Sequence, residues 1–338
     1  MVKQKSILVQ DDTAFNTAIG IDEEIALIGD IVGFDISIRQ NATFGAGASS
    51  MGDILDYFKL ITDGSKTLHE MNNFGDDAMM GVLSMLSGIA NPTNEDMVTT
   101  VEKQLHFFLP FPVMRALFST VKLKGNLKAG TTVNANITAL DTYARISVRH
   151  GFIEDMVVIS DYADATATTK YKIPLPNDKG NLTGFFICST DADLIHKDTY
   201  INLLDESGLP MIDNIYAQEI VAQNEQILTY GWKGLYKGVY ILYVDCPEIA
   251  CKPDIKINLN AGSTLTGGIQ VYYLNSLAEQ YITRPDMVSP KMIEVGAIHP
   301  EAISITRYDS LPEQIARQSV SLFQTTGDEV SDVEMGQR

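Results

Sequence analysis

The side chains able to do acid–base, nucleophilic or metal chemistry are few and widely spaced. The histidines are His69, His106, His150, His196 and His299, and none lies three or four residues from another. A helical metal pair needs that spacing, because only such neighbours share a helix face. Isolated histidines in a strand-rich chain read as structural. Cys188, Cys246 and Cys251 form an odd, sparse set that suits free thiols in a reducing compartment. The close pair Cys246 and Cys251 has no further ligands nearby for zinc. No G-x-S-x-G elbow marks a nucleophile. The glycine-rich GAGASSMG at residues 45–52 lacks the P-loop lysine and the G-x-G-x-x-G spacing, and reads as a loop between strands. Acidic groups occur at Asp11-Asp12, Asp22-Glu23-Glu24 and Asp76-Asp77. Paired carboxylates do acid–base work only across a cleft that drives their pKa values apart. Adjacent acids in turns instead cap helices or face water, with calcium at one of them left open. No catalytic, cofactor-binding or metal-ligating residue is therefore nominated, and neither enzyme activity nor a cofactor is expected. Asn41, Asn136 and Asn181 stand in N-x-[ST] sequons, a number near chance that would matter only on a secretory route.

Composition narrows the class further. At 338 residues, 45% hydrophobic and 20% charged, the chain is that of a folded protein with room for two domains of about 150 residues. A formal charge of −18 with scattered lysine and arginine argues against direct nucleic-acid binding, which needs a basic surface to release counterions. The opening MVKQKSILVQDD lacks the apolar core of a signal peptide. No uncharged apolar run reaches the roughly 18 residues of a membrane span, so synthesis and folding in a cytoplasm are expected.

The elements that would position any site are written twice. Residues 126–137 read NLKAGTTVNANI and residues 258–269 read NLNAGSTLTGGI, identical at six of twelve positions. Val121, Leu123 and Leu127 alternate with Lys122, Lys124 and Asn126, and Ile255, Ile257 and Leu259 alternate with Asp254, Lys256 and Asn258. That period of two marks half-buried strands. Lys128-Ala129-Gly130 and Asn260-Ala261-Gly262 each suit a tight turn, so each copy is expected to be a hairpin. Upstream, GFDISIRQ (residues 33–40) matches GFFICSTD (184–191), and KLITDGSKTLHEMNN (59–73) echoes NLLDESGLPMIDN (202–214). Helical patterns follow both, DDAMMGVLSMLSGIA from Asp76 and NIYAQEIVAQNEQI from Asn214. Strands ending near proline come next, QLHFFLPFP (104–112) and GVYILYVDCP (238–247). Residues 1–165 and 166–300 thus read as two copies of one β-rich module, with small and polar residues 161–181 as the linker region. Residues 301–338 read as a short helix, capped by Ser310-Leu311-Pro312-Glu313, and an acidic flexible tail. The uncharged stretch 78–90, AMMGVLSMLSGIA, is expected either to lie on its own sheet or to leave apolar surface for a neighbouring subunit.

Two β-modules in tandem, each with a helix inserted between strands, resemble the double jelly-roll major capsid proteins of membrane-containing icosahedral viruses, such as tectivirus-like and corticovirus-like phages and archaeal turreted viruses. GFDISIRQ/GFFICSTD, ITDGSKTLHEMN/LLDESGLPMIDN and VKLKGNLKAGTTVNANI/IKINLNAGSTLTGGI carry the resemblance. It implies an all-β fold of two tandem jelly-roll sandwiches with short inserted helices. It also implies a homotrimeric, pseudo-hexagonal capsomer located in the virion, with neighbouring capsomers and minor capsid proteins as partners. The tail from residue 300 would contact neighbours or an internal viral membrane, although it lacks the basic amphipathic character suited to anionic lipid. Two other readings compete. One is a carbohydrate-binding or carbohydrate-active tandem β-sandwich, disfavoured because Trp232 is the one tryptophan. The other is a phage tail or baseplate component.

Overall fold

The computed structural model describes residues 5–14, 19–25, 29–40, 55–72, 78–87, 103–127, 142–151, 153, 156–176, 179–227, 235–236, 238–249, 253–260 and 262–277. All of them fall in one compact unit, Met1–Thr283. The capping box, the helix and the tail expected after residue 300 lie outside the described residues.

The first set of strands makes two four-stranded sheets. One runs in the order β1 (Lys5–Ala14), β8 (Thr142–His150), β3 (Ile31–Gln40), β6 (Lys103–Leu109). The other runs β2 (Ile19–Ile25), β7 (Val121–Leu127), β4 (Leu55–Thr62), β5 (Lys66–Asn72). All pairings are antiparallel. Inward alternation supplies the core: Phe34, Ile36, Ile146 and Val148 from one sheet, Phe58, Leu60 and Leu123 from the other.

The second set repeats that order. Here β9 (Val157–Asp164), β17 (Ile269–Ser276), β11 (Leu182–Ser189) and β15 (Val239–Ile249) stand side by side, with the short β14 (Leu235–Tyr236) beyond β15. The other sheet is β10 (Lys170–Pro174), β16 (Asp254–Asn258), β12 (Tyr200–Leu204), β13 (Pro210–Tyr216). Tyr171, Ile173, Phe185, Ile187, Leu242 and Val271 belong to the core between them. Each strand of the first set has a counterpart at the same place in the second. This is the topology of a jelly roll, made twice.

Matching details recur at matching positions. Gly33 and Gly184 each follow a register shift in their strands, β3 and β11. At both, a neighbouring strand comes so close that a β-carbon would press on it, on Leu109 and Phe108 in one roll and on Tyr243 and Val244 in the other. An aspartate follows the third strand of each of the two sheets β2-β7-β4-β5 and β10-β16-β12-β13, Asp63 bonding to the segment before β7 and Asp205 to its own turn. Asp63 Oδ1 accepts from the Ser119 and Thr120 amides at 2.8 and 3.0 Å. Asp205 Oδ1 accepts from Ser207 and Leu209 N–H, each at 2.8 Å.

The repeated twelve-residue phrase is a sheet-to-sheet corner instead of a hairpin. β16 pairs with β10 and β12, whereas β17 pairs with β11 and β9. The turn itself forms, with Ser263 N–H donating to the Asn260 carbonyl at 2.9 Å and Gly262 at φ 94°. Alternation only says which residues face inward, and a strand that crosses to the opposite sheet keeps the same phase. In the first copy β7 and β8 also belong to different sheets, while residues 128–141 lie outside the described residues. Within the stretch 161–181, residues 161–164 end β9 and Lys170–Pro174 form β10. Because β9 pairs along its length with β17, hydrogen bonding groups residues 157–164 with the strands that follow them.

Two helices occupy equivalent places. Helix α1 (Ala78–Ser87) follows β5, and α2 (Ala217–Ile227) follows β13. The second helix begins at Ala217 rather than Asn214, because Asn214 sits at φ 49° and ends the helical path upstream. Glu219 then accepts from Tyr216 N–H at 3.0 Å, as in a capping box. Ala217, Ile220 and Asn224 make the buried stripe of α2. Asn224 donates to the Tyr243 carbonyl at 2.7 Å and accepts from its amide at 2.9 Å, closing an open backbone edge of β15.

Candidate functional site at the joint between the rolls

Where the first roll meets the second, Asn72 and His69 of β5 come together with polar groups of β9 and β17. β5 lies against β9, and its Leu68, His69 and Met71 are fully buried. Among the described residues each of these strands is the last of its own sheet, so the joint is made edge to edge. Helix α1 packs on β6 of its own roll and on β15 and β11 of the other. Ala78, Met79, Val82 and Leu83 are sealed there, each large side chain contributing about 1.5–3 kcal/mol. The uncharged helix therefore meets a neighbour, but that neighbour is the second half of its own chain.

Among the described residues, His69 is the histidine that lies in the joint. Its Nε2 donates to the Pro112 carbonyl at 2.8 Å, and its Nδ1 accepts from Ile159 N–H of β9 at 3.2 Å. These two bonds need one protonated and one bare ring nitrogen, so the ring is neutral. Phe111 stacks on it with centroids 5.0 Å apart. Burial pushes its pKa down to about 3, aided by the nearby Lys179 charge and opposed by the bond to Pro112.

Three residues further along β5, Asn72 is held from every side. Its amide N–H donates to Asp161 Oδ2 at 2.9 Å, and its Nδ2 donates to Oδ2 and Oδ1 at 3.0 and 3.2 Å. Its carbonyl accepts from the Tyr272 hydroxyl at 2.7 Å. Gln270 Nε2 adds a 2.7 Å bond to Asp161 Oδ2. Burial raises the Asp161 pKa, and the bonds from Asn72 and Gln270 pull it back. Beside it Lys179 Nζ donates to Ser160 Oγ at 2.6 Å, with both residues buried. This buried bond ties the segment before β11 to β9.

The other candidate residues stand apart. His150 Nδ1 lies 3.2 Å from the Asp30 carbonyl, and its Nε2 is buried with no partner. His196 accepts from Asp198 N–H at 3.2 Å. His106 lies on β6 and Asp11-Asp12 on β1. Asp22 pairs with Lys122 at 2.6 Å on β2, which lowers its pKa. Cys188 and Cys246 are buried free thiols, and burial pushes Cys246 up to about 12. His299, Cys251, Asp76-Asp77, residues 45–52, Asn41, Asn136 and Trp232 lie outside the described residues. Asn181 is half-buried, its carbonyl accepting from Ser276 N–H at 2.8 Å. Among the described residues no group of three or more His, Cys, Asp or Glu could hold a metal, and no helix is long and apolar enough to cross a membrane.

Asn72, Asp161, Gln270 and Tyr272 carry no motif, and sequence reasoning passed over them. The available hint was an aspartate inside the apolar run VVISDYA of residues 157–163. A charge there needs partners from another element.

Two jelly rolls welded edge to edge in one chain make a double jelly-roll protein. The atomic structure of Sulfolobus turreted icosahedral virus contains a chain similar to it, with TM-score 0.60 and 12% identity over 90% of this chain and 98% of that one. The crystal structure of the STIV major capsid protein gives TM-score 0.58 and 11% identity over 85% and 99%. PBCV-1 VP54, fitted into a reconstruction of the virophage Sputnik, gives 0.54 and 12% over 81% and 93%. No protein-family model matches the chain, and no curated protein matches it in sequence.

Proposed function

We propose that the chain is a major capsid protein, a structural and non-catalytic subunit of an icosahedral virus shell, and that three copies form one pseudo-hexagonal capsomer. The carrying observation is the doubled jelly roll, which spans nearly the full length of capsid chains of the same fold. Two like rolls side by side give a chain two similar faces, so three chains approximate sixfold packing. The pairing of β9 with β17 supports dividing the two domains between His150 and Val157, upstream of residue 165. Neighbouring capsomers and minor capsid proteins are the partners, and the charge of −18 keeps direct genome contact out of the role. The segment 301–338 stays the proposed contact to neighbours or to an internal membrane. Apolar burial, at about 25 cal/mol per Å² before ordering costs, drives association.

Light scattering of the purified chain tests this. A mass three times that of the chain is expected, with negative-stain images of pseudo-hexagonal particles. A monomer at micromolar concentration overturns it.

A further inference from the structure

The outer faces of the two rolls carry the same ion pair with its sign reversed. Hydrogen-bond register puts both faces in one frame. Asn126 of β7 faces Gly20 of β2, and Asn258 of β16, its match in the repeated phrase, faces Lys170 of β10. Two residues on, Asp22 faces Lys124 and Lys172 faces Lys256. Asp22 and Lys172 therefore hold equivalent places, and so do Lys122 and Asp254. In the first roll Lys122 bonds to Asp22 at 2.6 Å, and in the second Lys172 bonds to Asp254 at 2.8 Å. The acid stands on the outermost strand in one roll, and the lysine stands there in the other.

The residues around these pairs extend the contrast. Ile21 and Ile25, like Tyr171 and Ile173, are buried inward, so the residues that alternate with them point out. β2 thus shows solvent Asp22 and Glu24, whereas β10 shows it Lys170 and Lys172. The Asp22 and Lys172 side chains are 57% and 64% exposed. Behind them stand Lys122 and Lys124 on β7, and Asp254 and Lys256 on β16.

Folding gives no reason for the reversal. An exposed ion pair adds little to stability whichever way round it is placed. In the second roll the arrangement even works against the sheet, because Lys172 faces Lys256 directly and like charges across a ladder repel. A chain of charge −18 has acid to spare for such a place, yet three exposed lysines share it.

We infer that these two sheet faces meet between neighbouring capsomers, the acidic face of a first roll against the lysine face of a second roll in another copy, and that the reversed pair selects contacts between unlike rolls. This rests on the capsomer reading and concerns contacts between finished trimers. Rolls that stand side by side on one shell bring equivalent positions to one height, so Asp22 comes level with Lys172. Two first-roll faces would set Asp22 and Glu24 against their own copies, and two second-roll faces would set lysine against lysine. The charges stay at the rim, in water, so they choose the partner and steer its approach more than they add affinity.

The test reverses each pair within its own roll of the full chain. Asp22→Lys with Lys122→Asp gives the first roll the polarity of the second, and Lys172→Asp with Asp254→Lys does the converse. Each reversal keeps an ion pair in an arrangement that the other roll already holds, and neither changes the net charge. Light scattering over a concentration series is expected to show wild-type trimers associating further. Either reversal alone should raise the concentration needed for that association by about tenfold, with the trimer mass and the melting curve unchanged. Both reversals in one chain bring unlike charges level again and should recover most of the association. Single reversals that associate like wild type, or a double reversal as weak as the single ones, overturn this contact and leave the capsomer standing. Wild-type trimers that never exceed the mass of a trimer do the same. A wild-type monomer overturns the capsomer reading itself.

Discussion

Acid should loosen this molecule through His69. The ring is neutral in the fold, with a pKa of about 3 against an ordinary value of 6.5. Its folded pKa is depressed, so between those values the unfolded chain binds a proton that the fold refuses, and stability must fall as pH falls. The contribution is intact above pH 6.5, erodes by about 1.4 kcal/mol per pH unit below it, and levels off near pH 3. From neutrality to pH 5 the loss is about 2 kcal/mol, a large part of an ordinary domain's margin. Asp161 works the other way, because its raised pKa lets the fold take up a proton more readily than the open chain. The informative comparison is therefore with His69→Gln, whose amide can donate to Pro112 and accept from Ile159 N–H but does not titrate. Urea unfolding at a series of pH values should find this variant less stable than wild type at pH 7, and the gap should close as the pH drops to 5. Asp161 is common to both proteins and cancels. Parallel pH profiles would falsify the account of a neutral imidazole locking the rolls together.

Two further outcomes follow from the fold. Asn224→Ala removes both bonds to the Tyr243 backbone and should cost about 1–3 kcal/mol in urea unfolding, and a cost below about 0.5 would mean water serves that edge as well. Gly33→Ala drives a methyl into the Leu109 carbonyl and the Phe108 ring and should cost more than the roughly 1–3 kcal/mol usual for overpacking. Gly184→Ala meets its nearest atoms at 3.0–3.2 Å, led by the movable Tyr243 hydroxyl, and should cost less, so thermal melts that rank the two in reverse order would count against the shared bulge.

Much of the scaffold was legible before any coordinates, because it is written in local signals. Alternation marks β7 and β16, and the DGS and DESG turns mark the passage from β4 to β5 and from β12 to β13. What alternation cannot encode is partner choice. The corner after Asn258 reads like a hairpin because both flanking strands keep their inward phase, and only the long-range ladders send β17 to the other sheet. The joint was less legible still. Asn72 and Asp161 lie 89 residues apart and meet only once both rolls have folded. Nothing near Asn72 in the chain announces a partner.

The same fact explains why a duplicated chain need not have duplicated joints. Within one chain the two rolls are always present together, so a buried carboxylate at Asp161 can be given its donors from Asn72 and Gln270 every time it folds. A surface that waits for another molecule has no such assurance, and a charge placed there would stand solvated before assembly and desolvated after it, at a cost of several kcal/mol.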